Sequence, residues 1–594
     1  MHLLFRLPGN DVSFKYSYIE HVSKLVTFKW INDLDYKYMC DTSIQHINPG
    51  TDKNYRTIRF VYAMALSKRI TRDLLQCNSY RVLIRKCICE HAAAMMNEHH
   101  CETIPQADDI KPFSEIPGPK GIYNIPFLGI ALQFKPFTNY TPSDMPELLC
   151  NLRDKYGDIV KLKTGMSSMV YVFHPDHAKV VFQAQYKEHA KTQMKLPETF
   201  FKRNNIPKGV VLLQGEEWMK MRRSTQEKIL RPAIVANYVP LIETVADDFV
   251  DQLRKTQVIN DLHKELTNYT SESIGMLCFN TRLGYLDGTS DFDFYTNLQE
   301  MLTSFHQAFF LPIKSYKYFN TGIYKRFESS TLKIYRLAER EIKSQKQKLM
   351  KLEREGKLEE YLEKEPNFLH SLLSDPRVTD EQVSVIILDL IGAGIDSTAN
   401  TIAFLLCDLA QNPDKQKKLY EEINSVLGKS KKVKKSHLAN LSYLKACVKE
   451  TQRKRFPVFI GAQRILEHDL VLGGYRIPKQ TAVAINNDAM SVDERFYPRP
   501  KEFIPERWLR NSHEDVTMGR NHPFGMKPFG FGQRSCLGQR FAENEIYICI
   551  LKLIQNFEVS LPANVIDIPT VKRTFITPDA EIKLFLKERQ DADV

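Results

Sequence analysis

The chain has 594 residues, of which 43% are apolar and 26% charged, and its formal net charge is +12. That length and balance exclude a disordered, fibrous or disulfide-stapled small protein and leave room for a large buried core. Eleven cysteines, an odd number without regular spacing, point to free thiols in a reducing compartment. The basic balance favours an acidic partner or an anionic lipid surface, and nothing in the sequence calls for a nucleic-acid partner.

Residues 1–112 read as a basic leader. Between Tyr55 and Cys89, eight side chains are basic (Arg56, Arg59, Lys68, Arg69, Arg72, Arg81, Arg85, Lys86) and one, Asp73, is acidic. Such basic, acid-poor, intermittently apolar stretches mark mitochondrial targeting segments, the competing reading being a basic tail with no address. Met64 opens Met-Ala-Leu-Ser-Lys-Arg, a presequence start by itself, so translation is expected from Met64, with residues 1–63 an extension or variable leader. Cys87, Cys89, His91, His99, His100 and Cys101 lie close enough to ligate zinc. Their C-x-C spacing is atypical for that metal. Pro112, Pro117 and Pro119 with Gly118 and Gly121 form a stiff, non-helical hinge, beyond which one large domain is expected over 113–594.

Ile159–Lys163 and Met169–Phe173 alternate as strands do, and most of the chain beyond them has helical periodicity. The domain is therefore expected to be mainly α with a small β region. Phe305–Tyr324 carries Phe309, Phe310, Leu311, Tyr316, Tyr318 and Phe319 among Lys314 and Lys317. That mixture suits a membrane interface or, equally, a buried helix pair. Glu341–Glu365 and the Lys429–Lys435 run read as solvated surface. The apolar stretch Val383–Leu409 is interrupted by Asp389, Asp396, Asn400 and Asp408, so it reads as a buried core helix and not a membrane span. Thr379 and Gln382 supply a capping box at its start, and Asn412-Pro413 ends it. Inside it, Asp396, Ser397 and Thr398 place an acid and two hydroxyls where polar groups must be satisfied, and a hydroxyl bonding back to the previous turn would bend the helix. Glu450 and Arg453 stand i, i+3 on one helix face and can pair.

Near the C-terminus runs Phe529-Gly-Phe-Gly532-Gln-Arg534-Ser-Cys536-Leu-Gly538, leading into a helix over Gln539–Asn556. A cysteine where a helix begins meets unpaired N–H groups and a favourable dipole, which suits a thiolate. Gly532 and Gly538 allow a tight turn and close approach of a flat cofactor. Arg534 is placed for an anionic group on that cofactor. The string F-x-x-G-x-R-x-C-x-G resembles the haem-binding loop of the cytochrome P450 family, in which the cysteine is the axial iron ligand.

That resemblance implies a mainly α fold with haem b between the long central helix and the cysteine-loop helix. Ala393–Thr398 resembles the family's oxygen-activation motif: Asp396 would gate protons and Ser397 would supply the hydroxyl where threonine is usual, with Thr398 available to share the role. Glu450, Arg453 and Arg507 resemble the family's buried structural triad, which would lock the cysteine loop. Trp218, Arg222 and Arg464 match positions facing the haem propionates. The implied reaction inserts one atom of dioxygen into a lipophilic, sterol-like substrate, with an isomerase or sensor lacking oxygen insertion as the alternative. No G-x-G-x-x-G fingerprint or reductase domain is present. Electrons would thus come from a ferredoxin with its reductase, as in mitochondrial members, or from an NADPH-dependent flavoprotein reductase. Lys445 and Lys449 resemble ferredoxin-docking lysines, or else form a solvated face. The place implied is the matrix side of the mitochondrial inner membrane with peripheral contact, the alternative being the endoplasmic reticulum.

Overall fold

A computed structural model describes residues 110–589 apart from 127–128, 142–143, 165–166, 185, 187–193, 312–313, 365–366, 429–431, 459–461 and 510–521. The targeting segment, the Met64 start and the cysteine–histidine cluster lie outside the described residues. Asp109–Val594 forms one compact unit, mainly helical with small sheets.

Strands β1 (Ile159–Thr164) and β2 (Ser167–Val172) pair antiparallel with Ile159 opposite Val172. The edge strand β3 (Gln463–Ile465) pairs antiparallel with β4 (Ala482–Ile485), which lies parallel to β2, giving the order β1-β2-β4-β3. Alternation fills both faces of this sheet: Val170, Val172, Val483 and Ile485 enter one buried cluster, while Val160, Leu162, Met169 and Tyr171 enter another. Edge strand β3 carries Arg464 toward the cysteine loop, where its guanidinium donates to the Phe531 carbonyl at 3.2 Å.

Six helices position the site: α1 (Gly215–Ile229), α2 (Leu262–Phe279), α3 (Phe294–Phe310), α4 (Asp380–Gln411), α5 (Ser442–Lys454) and α6 (Gln539–Asn556). Helix α4 begins at the predicted capping box, Gln382 N–H donating to the Thr379 hydroxyl and Thr379 N–H to the Gln382 amide oxygen. It is long and apolar enough to cross a membrane, yet 72% of its most apolar window is buried within the fold. It packs against α2, α5 and α6. Its acids are satisfied inside: Asp389 accepts from Val211 N–H at 3.0 Å, and Asp408 accepts from Thr451, Lys454 and Arg455 at 2.7–2.8 Å. Burial alone would raise the Asp408 carboxyl, but Arg455 and Lys454 outweigh it and hold its pKa below the ordinary value.

Residues 305–324 divide rather than forming one interfacial surface or one buried pair. Tyr316 is buried, whereas Tyr318 is 80% and Phe319 70% exposed. Lys314 donates from Nζ to the carbonyls of Ala308 and Phe309, closing the last turn of α3, and burial pushes its ammonium down to about 8.

Glu450 on α5 is fully buried and accepts five hydrogen bonds: two from Arg453, and one each from Arg507 Nε, Trp508 Nε1 and Ile504 N–H, all at 2.9–3.1 Å. Arg453 also donates to the carbonyls of Ser491, Pro500 and Glu502. The triad thus clamps α5 to the 491–508 segment, which leads toward the cysteine loop. Removing the carboxylate leaves two guanidiniums buried without it. Glu450→Ala should cost roughly 3–5 kcal/mol, read as a lower urea midpoint together with loss of haem retention.

Glu545 on α6 is also fully buried, beside Ser273, Tyr269 and Cys549, and burial pushes its carboxyl well above the ordinary value. Its folded pKa is raised, so its contribution is fully present below the unfolded value near ~4.3 and is lost as pH rises. Glu545→Gln should therefore raise the thermal midpoint at pH 7, with the gain over the parent shrinking as pH falls toward ~4. A gain that grows on acidification would contradict this.

Candidate active site

The cysteine loop turns on two glycines in the left-handed region, Gly530 (φ 70°) and Gly532 (φ 75°). Gly530 N–H donates to the Lys527 carbonyl at 2.9 Å and Ser535 N–H to that of Gly532 at 3.0 Å. Cys536 N–H then closes the loop on the Phe529 carbonyl at 2.8 Å. Gly538 is the N-cap of α6 with an ordinary φ of −88°, so the tight turn expected there falls on Gly530 and Gly532 instead.

Cys536 lies deep in the fold, yet its side chain is exposed to open space. Burial pushes the thiol pKa up; the Gly538 N–H, Arg222 and the Gln539 N–H pull the other way, and Glu543 adds to the rise. The net direction is upward, so the helix terminus alone does not make a thiolate. A coordinated cation would, because it inverts the local balance by deprotonating its thiol ligand.

Trp218 and Arg222 stand one turn apart on α1, both buried. The Arg534 guanidinium stacks on the Trp218 ring, 3.8 Å from its centroid, and donates to the Leu213 carbonyl at 2.9 Å. Arg222 donates to Gln226 at 3.1 Å, and Arg464 to the carbonyls of Gln463 and Phe531. Burial pushes Arg534 down to about 9, and its neighbours Arg464 and Arg222 push the same way. Burial takes Arg222 down to about 10 against the opposing pull of Cys536. Three guanidiniums held this close repel one another, and a bound dianion would relieve them. The 209–214 segment meets both halves of the site: Val211 N–H donates to Asp389 of α4, while the Leu213 carbonyl accepts from Arg534.

On α4, the Ser397 hydroxyl donates to the Ala393 carbonyl at 2.6 Å and the Thr401 hydroxyl to that of Ser397 at 2.8 Å. Ala393 is exposed in the middle of this buried helix, and Ser397, one turn on, is half-buried. Asp396 points elsewhere and is buried, accepting from Gln299 Nε2 at 2.8 Å and Asn400 Nδ2 at 2.9 Å, with His263 Nε2 at 3.2 Å. Thr398 is buried. Asn400 could have been found from its i+4 spacing to Asp396. His263 and Gln299 come from α2 and α3, more than ninety positions away, where no local pattern marks them. Trp508, the added donor to Glu450, stands beside Arg507 without any motif to select it.

Lys449 is exposed, 5.9 Å from the Trp508 ring centroid. Lys445 is half-buried and donates to the Ala439 carbonyl at 2.7 Å; burial lowers its pKa. Lys527, on the approach to the cysteine loop, also has a lowered pKa, from burial first and from Lys449 second. It joins the same basic face.

Haem asks for a soft anionic ligand, cations for its two carboxylates and room for a flat ring. Cys536 offers the first and Arg222, Arg464 and Arg534 the second. A Cβ built on Gly532 or Gly538 would meet nothing within 4 Å. The residues present therefore fit the group.

Residues 119–586 match the family model for Cytochrome P450. Cytochrome P450 10 of Lymnaea stagnalis is 30% identical over 496 residues, covering 82% of this chain and 88% of its own. Probable cytochrome P450 12a5, mitochondrial, of Drosophila melanogaster is 29% identical across 77% of this chain and 87% of its own. The 1,25-dihydroxyvitamin D(3) 24-hydroxylase, mitochondrial, of Rattus norvegicus is 25% identical across 75% and 84%. A match over most of the chain, with the cysteine loop inside it, shows that the protein belongs to the cytochrome P450 family of monooxygenases.

Proposed function

We propose that the protein binds haem b through Cys536 and inserts one oxygen atom of dioxygen into a lipophilic, sterol-like substrate at the mitochondrial inner membrane. The observation that carries this reading is Cys536 facing open space beneath the Gly538 and Gln539 N–H groups, with the Arg222–Arg464–Arg534 cluster beside it. Bound haem supplies the activation of dioxygen and transfer of one oxygen atom, consuming two electrons and two protons and releasing the other atom as water.

The chain's own residues supply the rest. Arg222, Arg464 and Arg534 hold the propionates as charge-assisted donors, and Trp218 fixes the Arg534 plane from its other face. Phe529, Gly532 and Gly538 shape the loop around the ligand. Ser397 keeps its hydroxyl proton on the Ala393 carbonyl, leaving its lone pairs to accept, so it orients water beside α4. Asp396, held by Gln299 and Asn400, accepts protons and passes them on behind it, and Thr398 backs the same turn.

The exposed Lys449, with Lys445 and Lys527, offers a basic face to an acidic ferredoxin. Relatives named mitochondrial support this donor and the matrix side over a flavoprotein reductase at the endoplasmic reticulum. The rat relative's name, a hydroxylase of a vitamin D sterol, supports a sterol-like substrate. Exposed Tyr318 and Phe319 beside Lys317 suit peripheral membrane contact.

The reduced CO complex should give a thiolate-type spectrum that is lost in Cys536→Ala. With ferredoxin, its reductase, NADPH and labelled dioxygen, a sterol panel should yield one labelled oxygen per product. Thiolate ligation with rearranged but unlabelled product would instead identify an isomerase and overturn the proposal. Ser397→Thr restores the methyl that restricts χ1. It should raise product formed per NADPH by roughly twofold, about 0.4 kcal/mol of partition. Unchanged or poorer coupling would contradict the role given to the hydroxyl.

A further inference from the structure

We propose that His263 is a positioning residue that relays protons from a polar surface pocket to Asp396. This deepens the monooxygenase reading above and rests on it.

His263 is buried at the start of α2, with Nε2 3.2 Å from Asp396 Oδ1 and Nδ1 3.4 Å from the Tyr295 hydroxyl. Asp396 is thereby connected away from Ser397, toward the other side of α4. Asp261, His263, Tyr295, Gln299, Arg573 and Glu581 are among the residues lining a pocket of about 390 Å³ that opens to the surface. One imidazole thus touches both the acid of the α4 motif and the wall of a solvent-accessible pocket.

The bonding pattern selects a tautomer. Tyr295 is a neutral phenol, pushed up to about 12 by burial and by Asp261, Asp396 and Glu581. It can donate to Nδ1, leaving Nε2–H to donate to the Asp396 carboxylate. The charged groups lining the pocket are the acids Asp261, Glu300, Asp579 and Glu581, of which Glu300 pairs with Arg326 at 2.9 Å, and the cation Arg573, whose guanidinium donates to Thr303 at 3.2 Å. Acids predominate there, which favours protons over hydroxide at its mouth. Relay then balances: the Tyr295 hydroxyl takes a proton from pocket water as it passes its own to Nδ1, and the Nε2 proton passes to Asp396. The starting tautomer returns by exchange with pocket water, Nδ1 giving up one proton through Tyr295 and Nε2 taking one. Gln299 and Asn400 donate to the same carboxylate from other directions, so its position does not depend on the imidazole alone. That leaves His263 as the titratable contact with the pocket among the three, since amides hold the carboxylate but carry no proton through.

The test uses the full holoprotein and two readouts. In the reduced, CO-bound form, nitrogen-15 NMR of histidine-labelled protein should show a buried Nε2–H tautomer that disappears in His263→Gln. An Nδ1–H tautomer at that signal would overturn the relay. His263→Gln keeps a donor to Asp396 but cannot pass a proton. With a sterol the parent oxygenates, it should retain the thiolate CO spectrum and substrate affinity while product per NADPH falls at least about tenfold, less than the roughly 100-fold of a direct general-acid contact because pocket water offers a bypass. The solvent isotope effect on turnover should rise as proton supply becomes limiting. Should His263→Gln fail to load haem, Tyr295→Phe carries the same comparison with an expected loss of about threefold. Unchanged coupling and isotope effect in a haem-loaded variant would overturn the relay. Failure of the parent to oxygenate any sterol would count against the proposed function and leave the NMR result to decide the relay.

Discussion

A single carboxylate, Glu450, holds the 491–508 segment against helix α5. Five donors converge on it in a fully buried position, and Arg453, its partner one turn on, reaches three further carbonyls. Ions so placed are stable only when every hydrogen-bonding direction is used, so the segment 491–508 has little freedom in how it meets α5. That segment hands the chain on toward the cysteine loop, where Gly530 and Gly532 take it through left-handed turns to Cys536. A charge network that touches no substrate thus fixes where the 491–508 segment meets α5.

The long helix α4 plays the opposite part. Its apolar residues make the core, and three of its acids are each committed to a different neighbour: Asp389 to the 209–214 segment, Asp408 to the end of α5, Asp396 to α2 and α3. Ser397 alone in the Asp396–Thr398 group bonds back along its own helix beside the exposed Ala393. The acid and the hydroxyl therefore divide the helix between them, one facing a polar pocket and the other the side of the exposed Ala393.

Motifs with local geometry were legible in the sequence. The capping box at Thr379, the helix over Gln539–Asn556 and the paired strands near residue 160 depend on spacing within a few residues, and they stand within a residue or two of where that spacing places them. The haem loop was legible for the same reason, as a contiguous string. Less legible was anything that long-range packing decides. His263 and Gln299 meet Asp396 because three helices pack together. Lys527 joins Lys449 because a loop returns to α5, and the 305–324 aromatics divide between core and surface by the path of one turn. The thiol of Cys536 shows the limit of a local argument most plainly: a helix terminus predicts a lowered pKa, while burial decides the net direction.

The account turns on Cys536 as the iron ligand, and X-ray absorption at the iron edge of the purified holoprotein tests it most directly. One sulfur in the first coordination shell, absent from Cys536→Ser, is the predicted result. A shell of nitrogen and oxygen alone in the parent protein would contradict it.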